Sequence, residues 1–268
     1  MKASRSIIGA GVFLSIVALA SSVMAQARMP EKHIQMYEIQ LKAGANAQFE
    51  AYMKKIAEAA NKINAPQGWF TAQTELGANG TSYFIFLGFD KWGERDGWSL
   101  VPQMLTKAFG EDEAQKLLRM GGGAISSYQA NVYTLDEERS WNLEAAAPAK
   151  YYQILRGQVK PSMVDEYLMV ISEIKEAQEN ASVKRMGIRR ESRFGPSWEF
   201  YMATPFEKWG NWDEAASDVW GVVAKHHGES KTRALQKSLR NCYESREIFI
   251  IAGRPDLSRE APSATSSE

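Results

Sequence analysis

Cysteine is nearly absent: Cys242 is the only one in 268 residues. No intrachain disulfide can form, and cysteine-rich zinc sites are excluded with it. Histidine is almost as scarce. Only His33, His226 and His227 occur, and no His-Glu-x-x-His motif joins them. Net charge is missing too, since 32 basic side chains balance 32 acidic ones. That balance argues against a nucleic-acid partner. Beyond the first 27 residues no apolar run is long enough to span a bilayer.

The first residues follow a different pattern. "MKASR" is basic, "IIGAGVFLSIVALA" is apolar but short, and "SSVMAQA" supplies small residues. This three-part order predicts a secretory signal peptide over 1–27, cleaved after Ala25 or Ala27. Losing Lys2 and Arg5 would leave the mature chain about two charges negative. No cysteine stands just after the apolar run, so no lipoprotein anchor is expected. The expectation is a periplasmic or secreted protein without a membrane span after cleavage.

The remainder repeats itself. "FDKWG" at Phe89–Gly93 returns as "FEKWG" at Phe206–Gly210, 117 residues later. "YEIQLKAGANAQFEAYMKKI" from Tyr37 lies over "YQILRGQVKPSMVDEYLMVI" from Tyr152 at an offset of 115, and "GEDEAQKLL" over "GESKTRALQ" at 118. Each copy reads as a strand, an amphipathic helix, a hairpin, helical segments and a closing strand. The β-α-β-β-α-β order is the ferredoxin-like split unit. One sheet face is covered by helices, so the two units are expected to pack sheet to sheet as an intrachain α+β barrel. The boundaries are 28–136 and 150–252, with a linker over 137–149 and a disordered polar tail over 253–268. The "F(D/E)KWG" clusters pin the junction between the third strand and the next helix.

Tandem units of this order resemble the dimeric α+β barrel superfamily. The first-strand and first-helix motif is similar to its NIPSNAP and antibiotic-biosynthesis-monooxygenase-like branches. The resemblance covers roughly 35–135 and 151–252. It implies a pocket for a small molecule, and in some members haem held by an axial histidine of the C-terminal unit.

His226 is the foremost candidate. Val219, Val222, Val223 and His226 share one helical face, and Ala108 occupies the histidine's place in the first copy. His226 is therefore expected inward, as an axial haem ligand, a general base, or a histidine bonded to a carbonyl. His227 should diverge from it by about 100 degrees, against a shared metal. His33 is expected at the surface. The second hairpin carries Lys184, Arg185, Arg189, Arg190 and Arg193 where the first has "QGWFTAQT". Alternation sends Arg189 and Arg190 to opposite faces, and the strand reads either as placing one of them in a cavity to hold a carboxylate or as a solvated, edge-protecting basic strand. Trp69, Tyr83, Tyr151, Trp198 and Tyr201 can line an apolar pocket or fill core. "GGG" at Gly121–Gly123 reads as a flexible turn.

Three functions stay open: binding of a small aromatic or apolar molecule in the C-terminal unit, a haem-dependent or cofactor-free oxygenase or lyase using His226, and a homo-oligomeric assembly module without a ligand.

Overall fold

A computed structural model of the protein describes residues 31–77, 81–144, 149–183, 186–213 and 218–262. The leader, the tip of the first hairpin, Lys184, Arg185 and the last six residues lie outside them. The first unit runs β1 (His33–Leu41), α1 (Asn46–Lys62), β2 (Phe70–Leu76), β3 (Ser82–Phe89), α2 (Val101–Phe109), α3 (Glu111–Ala124) and β4 (Ile125–Leu135). The second keeps that order: β5 (Tyr151–Val159), α4 (Val164–Asn180), β6 (Ile188–Phe194), β7 (Glu199–Phe206), α5 (Val219–His227), α6 (Glu229–Cys242) and β8 (Tyr243–Gly253). Each element starts 118 residues after its counterpart, except β7, which starts 117 after β3.

All eight strands close into one antiparallel barrel in the order β1-β3-β2-β8-β5-β7-β6-β4. The units meet at two seams, β2 on β8 and β4 on β6. Closure leaves no sheet edge to solvent. The α+β fold is the one expected, with an interior shared by both units.

Strand alternation divides the side chains into three layers. Ile34, Met36, Phe84, Phe86, Tyr152 and Phe249 fill the barrel with others. The opposite face of the first unit packs on α1–α3, and that of the second on α4–α6. In α1, Phe49, Tyr52, Met53, Ile56 and Ala60 are buried at helical spacing, as the pattern predicts.

The structural offset of 118 corrects the match made at 115 in the first strand and helix. Three residues invert a strand's parity. Tyr37 faces the helices, whereas Tyr152 lies in the barrel core and corresponds to Ile34. Likewise Tyr167 corresponds to Phe49, not Tyr52. The glycine run corrects a second expectation: Gly121–Gly123 lie inside α3. A Cβ at Gly121 would stand 2.3 Å from the Tyr52 ring, so glycine lets α1 and α3 touch there. His33, expected at the surface, is buried, with Nδ1 3.0 Å from Thr134 Oγ1.

Both "linker" and "tail" are packed straps as far as they are described. After β4 the chain makes a 3-10 turn at Glu137–Arg139, and Trp141 bridges to Gly187 at the start of β6. After β8 it makes a 3-10 turn at Pro255–Leu257, and Arg259 bridges to Trp69 before β2. Each unit thus ends by clasping the other. Composition misled here because the polar side chains are used: Arg259 donates to the carbonyls of Ala60, Ala65 and Gln67 and to Asn61 Oδ1. Leu257 is wholly buried.

The barrel interior also holds charge. Arg156 on β5 donates to Glu38 on β1 at 2.6 Å and to Glu247 on β8. Nearby, the Tyr133 hydroxyl donates to Glu199, whose pKa burial raises despite that bond and the Arg156 charge.

Two outcomes follow from this packing. Arg259→Ala should lower stability by roughly 2–3 kcal/mol, because buried carbonyls lose a charged donor. Urea unfolding measures it, and an unchanged midpoint would restore the disordered tail. Glu199 has a folded pKa above its unfolded one, so its contribution is fully present in acid and is lost as pH rises through the folded value. Glu199→Gln should therefore unfold at higher urea than the natural chain above neutrality, with the gap closing toward pH ~4. A gap that widens in acid would contradict this reading.

Candidate functional site

The first unit opens between its sheet and its helices into a cavity of about 670 Å3. Residues of β1 and β3 that face away from the barrel core make one wall: Tyr37, Ile39, Ile85 and Leu87. Phe49, Tyr52, Met53 and Ile56 of α1 make the second, with Val101 and Met104 of α2. Trp69 lies on the side nearest the strap, where its indole N–H donates to the Leu257 carbonyl at 2.9 Å. The segment 92–100, just after the first "FDKWG", supplies Trp92, Arg95, Trp98 and Leu100.

That segment is held from both ends. Phe89 meets Trp92 and Trp98 edge-on, at centroid distances of 5.1 and 5.6 Å. His33 stacks on the same Phe89 and Trp92. In the second unit Tyr151, Phe206 and Trp209 form the corresponding cluster. The repeated motif is thus an aromatic pin at both junctions. Gln67 fixes the other end: its amide donates to the Ser99 carbonyl at 2.7 Å and accepts from the Ser99 N–H at 3.2 Å.

Polar groups in this wall form a short chain. Arg95 Nη2 donates to Gln35 Oε1 at 2.7 Å, and Gln35 Nε2 donates to the Tyr37 hydroxyl. The phenol O–H remains a donor, and burial raises its pKa. Its neighbour Tyr83, behind the wall, donates to Glu50 at 2.7 Å and is pushed up to about 12, chiefly by burial.

The residues singled out by sequence are not brought together. His226 is exposed on the last turn of α5 and looks toward α4, with Nε2 3.5 Å from Glu176 and 3.4 Å from Asn180. The inward expectation fails at the end of α5: Val223 is buried, but the ring one turn later is exposed beside α4 side chains. Arg190 and Tyr201 lie inside the barrel. Arg190 donates to the Glu31 carbonyl at 2.9 Å, and burial lowers its pKa to about 10. Arg189 lies on the opposite face, as alternation requires, paired with Asp136 and stacked 4.3 Å from the Phe200 centroid. Trp198 is exposed at the second hairpin. Trp69, which the sequence offered as a pocket aromatic, does line the cavity, but its other residues were missed because broken symmetry drew attention to the second copy. A signal did exist in "WGERDGW", where an arginine stands between tryptophans directly after the motif.

The resemblance implies haem, but the cavity does not fit a histidine-ligated iron. Among the described residues no histidine or cysteine lines it, and His226 belongs to the other unit's surface. His227 does not diverge as expected, since the two imidazoles lie 4.4 Å apart. Glu176, His226 and His227 each place a ligand atom within 4.8 Å of the others, so this edge of α4 and α5 has the donors for a divalent cation. Lys231, 2.6 Å from Glu173, already occupies the adjacent carboxylate.

No protein-family model matches the chain, and no curated protein matches it in sequence. Solved structures do match in fold. A candidate monooxygenase from Fusobacterium nucleatum superposes with TM-score 0.50 at 9% identity, over 82% of this chain and 91% of that one. A second candidate monooxygenase, from Lactobacillus acidophilus, gives 0.49 at 8%, over 85% and 96%. A mutant chlorite dismutase from Candidatus Nitrospira defluvii gives 0.49 at 9%, over 84% and 93%. The architecture is that of the dimeric α+β barrels, closed here within one chain. At such identities the likeness concerns the fold and nothing finer.

The surface position of His226 sets one expectation. Any haem taken up by the protein will give the same Soret maximum and intensity in His226→Ala as in the natural chain. A hemin titration whose Soret band collapses in that variant would return His226 to the site.

Proposed function

We propose that the protein is an exported binder of a small, flat, apolar molecule, seated in the sheet-helix cavity of the first unit. The carrying observation is the cavity itself. Its volume of about 670 Å3 falls within the range of small-molecule sites, and aromatic and aliphatic side chains dominate its lining. Its polar groups are few: Arg95, Gln35 and Tyr37 form one linked chain, and Gln67 and Ser99 bond each other. The barrel provides one wall, and the pinned 92–100 segment provides another. The sequence of the leader supports export. The proposed site is in the first unit, whereas the sequence pointed to the second.

Binding is measured with the neutral fluorophore N-phenyl-1-naphthylamine. It should bind once per chain and perturb the emission of Trp69, Trp92 and Trp98. Leu87→Trp should weaken it at least tenfold by filling the space, while circular dichroism stays native. Ile85→Phe is the milder companion should the larger side chain not be accommodated. Absence of binding, or binding indifferent to both substitutions, would overturn the proposal.

A further inference from the structure

Three arginines of the sheet and its straps are balanced by carboxylates. Arg156 meets Glu38 and Glu247, Arg189 meets Asp136, and Arg254 meets Glu50 and Asp256. Among the described residues Arg95 forms no ion pair. Asp96, exposed beside it, lines the same cavity yet lies beyond ion-pair distance. Three rings crowd the guanidinium instead: its Cζ stands 5.6 Å from the Phe89 centroid, 5.8 Å from Trp92 and 5.5 Å from Trp98. One polar contact is made, to Gln35, and the buried Nε has no partner.

A guanidinium keeps its charge at any physiological pH. This one is half-buried against aromatic rings and has no counter-charge among the described residues. The same surroundings strengthen any anion brought to it, since screening by water is reduced. Arginine's planar fork matches a carboxylate, and Tyr37 lies in the same wall with an O–H to give. Gln35 bonds both, so it holds the two donors in a fixed relation.

We infer that the ligand of this cavity is an apolar carboxylic acid whose carboxylate is held by Arg95, with its aromatic or aliphatic body among the side chains of α1, β1 and β3. This deepens the cavity reading and rests on it. Arg95 is then the residue that sets specificity for an acid over its neutral analogue.

The test compares 2-naphthoic acid with 2-naphthalenemethanol, a pair differing in the head group, each displacing N-phenyl-1-naphthylamine at neutral pH. The natural chain should bind the acid at least tenfold more tightly than the alcohol. Arg95→Met should bring that ratio to about one and leave the alcohol within about threefold of its natural affinity. Arg95→Lys should keep part of the preference. Equal binding of acid and alcohol by the natural chain, or a preference that survives Arg95→Met, overturns the inference. So does a fluorophore that binds but is not displaced by the acid, and in that case the cavity reading stands. A fluorophore that does not bind at all removes the cavity reading itself, and this inference with it. If Arg95→Met does not fold, the ratio in the natural chain decides alone.

Discussion

The barrel depends on a pairing between a residue and its own counterpart. Glu38 and Arg156 are 118 positions apart, the structural offset between the units, and they meet inside the barrel at 2.6 Å. Each is flanked by a cross-strand neighbour that suits it: Gln129 donates to Glu38, and Glu247 accepts from Arg156. Gln129 and Glu247 are again counterparts. The arrangement is therefore symmetric in position, with Glu38 and Arg156 opposite in charge. Two copies of the first unit closing on each other would set glutamate against glutamate, and two of the second would set arginine against arginine. Like charges about 4 Å apart repel by about 4 kcal/mol at an effective dielectric of 20. The interior thus favours pairing of the unlike halves, which a single chain guarantees.

The straps extend that mutual dependence to the cavity. Trp69 belongs to the first unit, but the carbonyl that orients its indole belongs to Leu257, after the last strand of the second. Thr71 donates to the same carbonyl. The wall of a site in one unit is completed by the chain end of the other, so neither half would present it alone. The segment around Trp141 performs the same service for β6, with Ser140 accepting from the Arg189 N–H.

The element order was legible in the sequence because it rests on periodicity, which survives divergence. The second hairpin's alternation was legible too: Arg189 and Arg190 do point to opposite faces. Register was harder. Tyr37 and Tyr152 match by type but face opposite sides, because aromatic residues suit both the barrel core and the helix layer. Residue identity at low similarity cannot report parity. The inward reading of His226 failed for a related reason, since a face defined at i, i+3, i+4 and i+7 is buried only where the helix still overlies the sheet. The straps were hidden by their polarity, and a polar segment that bonds buried carbonyls cannot be told from a solvated one without its partners. Arg95 was passed over because its meaning lies in what does not surround it.

That last point explains how nearly equal halves can differ in use. The barrel interior is common property, and a change there is felt by both units. The two helix-sheet layers are separate, so each can change alone. In the second layer Arg189 replaces the Thr71 of the first and is buried against Phe200 and Tyr167, with Asp136 to balance it. There arginine is a packing element. In the first layer the corresponding position stays small, and an arginine stands instead in the segment that forms the cavity wall, at a place where the second unit has Trp212 edge-on to Phe206. Both arginines lie over aromatic rings, and aromatic contact therefore does not separate their roles. The carboxylate does: among the described residues the chain supplies one to Arg189 and none to Arg95, for which we infer that the ligand brings it.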